Sequence, residues 1–413
     1  MEVLGRSNPK YYNAHMASVA RLSMTRDKQL KESWASFCDE LKSAGDIIFR
    51  DTTPDNDLVR AKGLRLLARN ISLGLQFNLD NIDTQTPELL HYFDPIRKQG
   101  GDNTDALYVG ANINGQNTYR ISGNRGQSRF FAVTVLEDGN TPWGGGVVGN
   151  LIDDQIEMDK NGNFELIVSP RKHAGNWIKS TPDTWRITFR QFFADWANEE
   201  PMIAKIECLD GAGHDPILTP EQVGKRLKDT ADWVRVSTNY WADMIDKWAK
   251  QPSTFLSYRQ LDDNEIDATP GGEPLITYWQ LPKDEALVIR FIPPVCDYWA
   301  VEFGNYWWET MDYRYRMSST NCHMAQIEEN GELLLAITHE DLGYANWLDP
   351  SGHSEGYVTV RYLGADDYPI PQCHQMKLTA LETYLKEVKK VTPEQRKAQL
   401  EERRNGVIKR FKY

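Results

Sequence analysis

The sequence predicts an α+β protein: two antiparallel, jelly-roll-like β-sandwiches from an internal duplication, with an N-terminal helical region, a long bracing helix and a C-terminal helical tail. Three observations predict it. The first is an echo along the chain. Asp159-Lys160-Asn161-Gly162-Asn163-Phe164 leads to Asn176-Trp177 and Trp185-Arg186-Ile187-Thr188-Phe189-Arg190, and Glu329-Asn330-Gly331-Glu332-Leu333 leads to Asn346-Trp347 and Tyr357-Val358-Thr359-Val360-Arg361-Tyr362. The Asn-Gly pairs lie 169 residues apart and the Asn-Trp pairs 170, a period that marks a duplicated module. Upstream, Arg129-Phe130-Phe131-Ala132-Val133 answers Asp297-Tyr298-Trp299-Ala300-Val301. The second is the texture of 106–195, where short β-rich runs alternate with Gly, Asn and Pro turn signals, as in sandwiches. The third is the 3.6-residue apolar period of the segments that flank the β regions.

Leu30, Trp34, Phe37, Leu41 and Ala44 give a helix over roughly 25–48, and Pro54 opens a second with Leu58, Ala61, Leu64, Ala68, Ile71 and Leu75 on its apolar face. The clearest strands of the first sandwich are Tyr119-Arg120-Ile121, Phe130 to Leu136, Phe164 to Val168 and Arg186 to Phe192. At 219–250 a helix returns: Thr219 caps it, Pro220 suits its first turn and Gln222 completes a capping box. Its stripe is Val223, Leu227, Ala231, Val234, Trp241, Ile245 and Trp248, and its length of about 45 Å can brace two domains. Thr392-Pro393-Glu394-Gln395 starts the last helix. The organisation is therefore a helical region at 1–100, a sandwich at 101–215, a bracing helix at 216–252, a second sandwich at 253–370 and a basic tail at 371–413.

Composition bounds function. Net charge of −12 argues against a nucleic-acid surface for the whole protein. The five cysteines are scattered without a CxxC pair, which fits a reducing compartment. Met1 to Ser7 lacks an apolar signal core, and no apolar run is long enough for a membrane span. The expectation is a cytoplasmic protein. Residues 377–413 carry 11 Lys or Arg against five Asp or Glu. They read as an amphipathic arm on an acidic body or a sister subunit, the latter giving a homo-oligomer, with membrane-surface binding as the other reading.

Several motifs reduce to structure. Gly144-Gly145-Gly146-Val147-Val148-Gly149 has the letters of a dinucleotide fingerprint, but nothing in its β context supplies the helix that mechanism needs. It reads as a loop over a pocket or edge. Asp159 to Asn163 lacks the calcium-loop spacing, and both Asn-Gly pairs read as type I′ turns. The eight histidines form no HxH or HExxH array, so neither metal nor other cofactor is expected. The Asn-Trp pairs, present in both copies, read as Asn side chains tying loops beside buried Trp rings.

Features found in one copy only are the functional candidates. Tyr298, Asn305, Trp307 and Trp308 belong to an aromatic run with no double Trp in the first copy; alternation puts Tyr298 and Ala300 on one face of a strand and Trp299 and Val301 on the other. These rings fill a core or line a pocket for a ring-bearing ligand. Asp102 and Asp105, in Gly100-Gly101-Asp102-Asn103-Thr104-Asp105-Ala106-Leu107-Tyr108, either cap a turn or pair with Arg120, Arg125 or Arg129 to orient a polar group. Arg65 and Arg69, one helical turn apart, either lie on a solvated face or join them if their helix packs there.

Asp297-Tyr298-Trp299-Ala300-Val301-Glu302-Phe303, Asn330-Gly331-Glu332, Asn346-Trp347-Leu348 and Val360-Arg361-Tyr362 resemble the family called domain of unknown function 1214 over about 275–365. The first module more loosely resembles domain of unknown function 1254. The resemblance implies jelly-roll sandwiches and no settled reaction. From the residues, the expected role is an intracellular, metal-independent enzyme on a ring-containing, mostly apolar small molecule. Asp102, Asp105 or His339 would do acid/base work, Arg129 or Arg120 would polarise a carbonyl or hydroxyl, and Tyr119, Arg120, Tyr298, Asn305, Trp307 and Trp308 would bind substrate. The alternative is a carbohydrate- or small-molecule-binding module without turnover.

Overall fold

The structure, a computed structural model, describes residues 9–139, 141–211, 213, 217–257, 260 and 269–412. The expected starts of the helical region at residue 1 and of the bracing segment at 216 lie outside the described residues, as does the Met1 to Ser7 segment.

Helix α1 (Pro9–Ser43) begins earlier than its apolar period indicates and ends in a 3₁₀ turn, Ala44–Phe49. Phe37 is buried, but Trp34 is 58% exposed. Helix α2 (Asp57–Leu75) starts three residues after Pro54 because Asn56 is a better cap, its Oδ1 accepting from Leu58 N at 2.9 Å and Val59 N at 3.3 Å. The buried face of α2 also differs from the expected one: Val59, Gly63, Leu66, Arg69, Asn70, Leu73 and Gly74 point inward, and Leu64 is exposed. The reason is close packing. A Cβ on Gly63 would lie 2.6 Å from Ile48 and 2.8 Å from the Trp307 ring, and one on Gly74 3.0 Å from Val234 and 3.2 Å from Trp233, so close approach at the two glycines selects the face together with the burial of Val59, Leu66 and Leu73.

The first sandwich pairs a five-stranded sheet, β1 (Leu90–His91), β2 (Ala106–Asn112), β8 (Thr184–Phe192), β4 (Phe130–Glu137) and β5 (Val147–Ile152), with a four-stranded sheet, β7 (Asn176–Lys179), β6 (Asn163–Ser169), β3 (Tyr119–Asn124) and β9 (Ile203–Cys208). The second repeats this order strand for strand. Its sheets are β10 (Leu256–Ser257), β11 (Leu275–Gln280), β17 (Glu355–Leu363), β13 (Tyr298–Asn305) and β14 (Ser319–Asn321), and β16 (Trp347–Leu348), β15 (Leu333–Ile337), β12 (Glu285–Phe291) and β18 (Gln372–Lys377). Even the one parallel pair recurs, β6 with β7 and β15 with β16. Each sandwich reaches past its expected boundary, through β1 before 101 and β18 after 370.

The duplicated Asn residues are structural. Asn176 Nδ2 donates to Glu157 O and Glu165 O while its Oδ1 accepts from Glu157 N, and Asn346 does the same with Gln326 and Leu334. The Asn-Gly turns are not type I′. Only Gly162 and Gly331 have positive φ, at +81° and +84°, and each turn closes through a bond from the Gly N to the residue three earlier, Asp159 O or Glu328 O. A type I turn followed by a left-handed glycine results. In the first copy Asp159 Oδ1 holds it from Asn161 N and Asn163 N.

Within each sandwich the inward residues form a core, Phe131, Val133, Ile187 and Phe189 in one and Trp299, Val301, Phe303 and Val360 in the other. The opposite faces of the two five-stranded sheets meet each other: Tyr108, Phe130, Ala132 and Phe192 share a cluster with Tyr298, Ala300 and Leu363. Tyr298 and Ala300 thus face away from Trp299 and Val301, as alternation requires.

Helix α3 (Pro220–Ala249) carries the expected Thr219–Gln222 capping box. It lies across both copies, Trp233 Nε1 donating to Pro142 O at 2.8 Å and Tyr357 OH donating to Ile245 O at 2.7 Å. After α4 (Leu378–Tyr384), α5 (Pro393–Phe411) packs on the body of its own chain. Its buried face carries arginines seven residues apart. Arg396 donates to Tyr344 O at 2.6 Å, Arg403 to Ser319 O at 3.1 Å and Arg410 to Thr104 O at 2.6 Å. The basic bias of the tail therefore satisfies buried carbonyls and Asp341 as well as the surface.

Candidate functional site

A cavity of about 90 Å³ lies where the two sandwiches, α3 and the loop before β2 converge. Its walls are aromatic: Tyr92, Tyr108, Trp143, Tyr240, Trp241 and Trp308. Tyr92 stacks on Trp143 with centroids 5.5 Å apart, and Trp241 meets Trp308 edge-on at 5.4 Å. Trp143 is held by its Nε1, which donates to Gln99 Oε1 at 3.1 Å, and Gln99 Nε2 in turn donates to Asn70 Oδ1 at 2.7 Å on α2 and Ser237 Oγ at 2.5 Å on α3. The Arg186 guanidinium lies 4.7 Å from the centre of the Tyr92 ring and 5.3 Å from that of Trp143, a cation–π contact that fixes this wall.

Trp308 has φ of 54°, a left-handed conformation unusual for so large a side chain. Asn305 imposes it: its Oδ1 accepts from Trp307 N at 2.9 Å and Glu309 N at 3.2 Å, its N donates to Glu309 O, and its Nδ2 donates to Glu309 Oε2. Glu309 is itself ion-paired with buried Arg69. Such strain concentrates at functional sites. Gly101 N donates to Trp308 O at 2.9 Å, and a Cβ on Gly101, at φ +70°, would lie 2.4 Å from the Trp308 ring. Gly101→Ala is accordingly expected to displace that ring and to destabilise the fold by about 1–3 kcal/mol, read as a lowered thermal midpoint together with a changed near-ultraviolet dichroism.

Two arginines complete the lining, Arg190 on β8 and Arg361 on β17. They are equivalent, Arg190 standing opposite Ala132 and Arg361 opposite Ala300. What neighbours them differs between copies. Arg190 Nη1 donates to Thr134 Oγ1 at 2.9 Å. At the matching place the second copy has Glu302, whose Oε1 is 4.0 Å from Arg361 Nη2. Glu302 Oε2 accepts from Thr104 N at 3.0 Å, whereas Oε1 and Arg361 Nε are buried without a hydrogen bond. Burial pushes the Glu302 carboxyl up to about 8 against the opposing pull of Arg361. We hold the acid protonated at neutral pH despite the nearby guanidinium, because 4.0 Å is too long for a hydrogen bond and only one backbone N–H supports the anion. Burial likewise raises the Tyr108 hydroxyl, with Arg361 opposing.

Most residues singled out by sequence are occupied inside the protein. Asp102 accepts from Thr310 N at 3.0 Å and Oγ1 at 2.6 Å beside Lys98, whose ammonium burial brings down to about 8. Asp105 accepts from Trp196 Nε1, Tyr298 OH and Asn321 Nδ2. Arg129 is exposed and donates to Asp297 O, and His339 is bonded to Leu281 O. Tyr119 is in the core of the first sandwich, and Arg120 pairs with Glu207 on its outer sheet. Arg125 chelates Asp153, and Arg65 is exposed. Trp307 donates from Nε1 to Val59 O. Of the ten expected site residues, Trp308 alone lines the cavity; Asp102, Asp105, Arg129 and His339 do not come together there, since each is consumed by a local or inter-sandwich contact. The loop from Gly100 to Tyr108 does reach the cavity, but through Gly100, Gly101 and Tyr108. The Gly144 run leads into β5 rather than a helix, and Trp143 of its preceding turn joins the lining. Among the described residues, no three His, Cys, Asp or Glu side chains cluster to hold a metal, and no helix is long and apolar enough to cross a membrane.

Residues 104–195 match the profile of the family described as Protein of unknown function (DUF1214). The match falls on the first sandwich, one copy earlier than the segment whose motifs carry the resemblance and in the module expected to resemble the companion family. An uncharacterized protein from Burkholderia cenocepacia, known from a crystal structure, is 32% identical with a TM-score of 0.81, covering 86% of this chain and 99% of that one. The VPA0106 protein from Vibrio parahaemolyticus is 12% identical with a TM-score of 0.45, covering 76% and 98% respectively. No curated protein matches.

Proposed function

The chain belongs to the DUF1214 family of proteins of unknown function, and for this member we propose an intracellular role in which the cavity between the sandwiches binds a small, ring-bearing molecule. One observation carries the reading: a concave site walled by Tyr and Trp rings, two of them held by hydrogen-bond networks reaching α2 and α3, with a few convergent polar groups. The described lining contains no Asp, Glu, Asn or Gln to receive sugar hydroxyls, which favours a mostly apolar ring over a carbohydrate. Native mass spectrometry of protein purified from its own host should reveal a releasable organic mass that Trp308→Ala loses. Equal occupancy in the two proteins would count against this cavity.

A second reading, turnover by general acid chemistry, is favoured by Glu302. It is a protonated buried carboxyl standing directly behind a cavity arginine, and only the second copy has it. Under that reading Glu302→Gln removes turnover of an identified substrate and leaves its binding intact.

A further inference from the structure

We infer that the ligand is a ring-bearing carboxylate, and that Arg361 is the residue that reads its charge. This deepens the proposed function and rests on the cavity being the binding site. The Arg361 side chain is 8% exposed and faces the cavity. Among the described residues it makes no hydrogen bond: its Nε is buried without an acceptor, and its nearest carboxylate oxygen is at 4.0 Å. A guanidinium presents five donors in a planar fork that matches a carboxylate bidentately, so burying one with its fork unfilled is costly unless a ligand completes it. Its equivalent, Arg190, shows the contrast, since the Thr134 hydroxyl accepts from it at 2.9 Å. The second copy replaces that hydroxyl with Glu302 and turns its carboxylate to Thr104 N instead. Because the buried acid is protonated at neutral pH, the charge of Arg361 is left for something else to balance.

The remaining wall suits the rest of the ligand. Tyr92, Trp143, Trp241 and Trp308 offer faces and edges to one flat ring, and about 90 Å³ accommodates a single small ring with a short substituent. Tyr108, held protonated by burial, is a further donor beside the arginines.

The test compares 2-furoate with furfuryl alcohol, a neutral molecule with the same ring and a substituent of similar size, by ligand-observed NMR titration of the intact protein. The wild type should bind furoate tighter by roughly tenfold to a hundredfold, the range of a charge-assisted hydrogen bond. Arg361→Gln should abolish that preference while alcohol binding is kept, and Arg361→Lys should retain part of it. Equal affinities in the wild type, or a preference that survives Arg361→Gln, overturn the carboxylate inference and leave the cavity reading standing. Failure of both compounds to bind overturns the cavity reading and the inference with it. The wild-type comparison decides even if the Gln variant does not fold.

Discussion

Asp105→Ala is expected to lower the unfolding free energy by about 3–5 kcal/mol, the cost of breaking a buried charged network from one side. Asp105 is 1% exposed and stands at the junction of both sandwiches and the tail helix. It accepts from Trp196 Nε1 at 2.9 Å, Tyr298 OH at 2.6 Å and Asn321 Nδ2 at 3.1 Å. Burial raises its carboxyl above the usual range, and Arg410 and then Arg403 oppose that rise, both buried. Alanine strands three donors and leaves two guanidiniums without their carboxylate. Asn keeps the shape and one acceptor, so Asp105→Asn should cost less. Urea unfolding curves measure both. A loss below about 1 kcal/mol for alanine would mean that Asp105 does not tie the two copies together, and activity lost at unchanged stability would restore the catalytic reading of this residue.

The second large effect depends on pH. Glu302 is raised by burial to about 8 in the fold, against 4.5 as its ordinary value. The folded state therefore binds a proton that the unfolded state releases between those values. The Glu302 contribution is fully present below about pH 4.5 and is lost as pH rises through about 8. At roughly 1.4 kcal/mol per pH unit inside that window, the loss reaches several kcal/mol. Glu302→Gln retains an acceptor for Thr104 N and does not titrate. The variant should match the wild type near pH 5 and exceed it increasingly toward pH 8, in unfolding measured at several pH values. Lys98, brought down to about 8, contributes with the opposite sign between 8 and 10.5, and His353, brought down to about 4, weakens the fold as pH falls below 6.5. Both are common to the two proteins, so the difference isolates Glu302. A difference flat across pH would mean that the acid is ionised against Arg361.

Much of the fold is legible because its signals are local. Thr219 with Gln222 and Thr392 with Gln395 start helices where the capping box places them, and alternation sorts Tyr298 from Trp299. The inward face of α2 is not legible, because Gly63 and Gly74 are buried for their lack of a side chain and Arg69 for its distant partner Glu309.

The site shows the same division more sharply. The rule that residues shared by both copies are scaffold points away from Thr188-x-Arg190 and Thr359-x-Arg361, which the sequence repeats. It holds for Asn176 and Asn346, whose bonds stay within one sandwich. It fails for the arginines because the copies face each other, so a repeated residue on the facing sheets is brought together with its own duplicate. Glu302 against Thr134 is the one-copy difference that could have marked the spot, since it stands within the quoted Tyr298 to Phe303 string. Asp102 and Asp105 look free in sequence and are saturated in space by Thr310, Trp196, Tyr298 and Asn321, all distant along the chain.

By itself, the sequence determined the duplication, the starts of α3 and α5, the strand faces and an aromatic excess, all of which follow from spacing and composition over a few turns or pleats. Only the tertiary structure decided which rings enclose space, which carboxylates are consumed and which arginine is left unfilled. Those depend on two sheets meeting across some 170 residues of chain, where burial and the partners it brings, rather than residue type, set what a side chain can do.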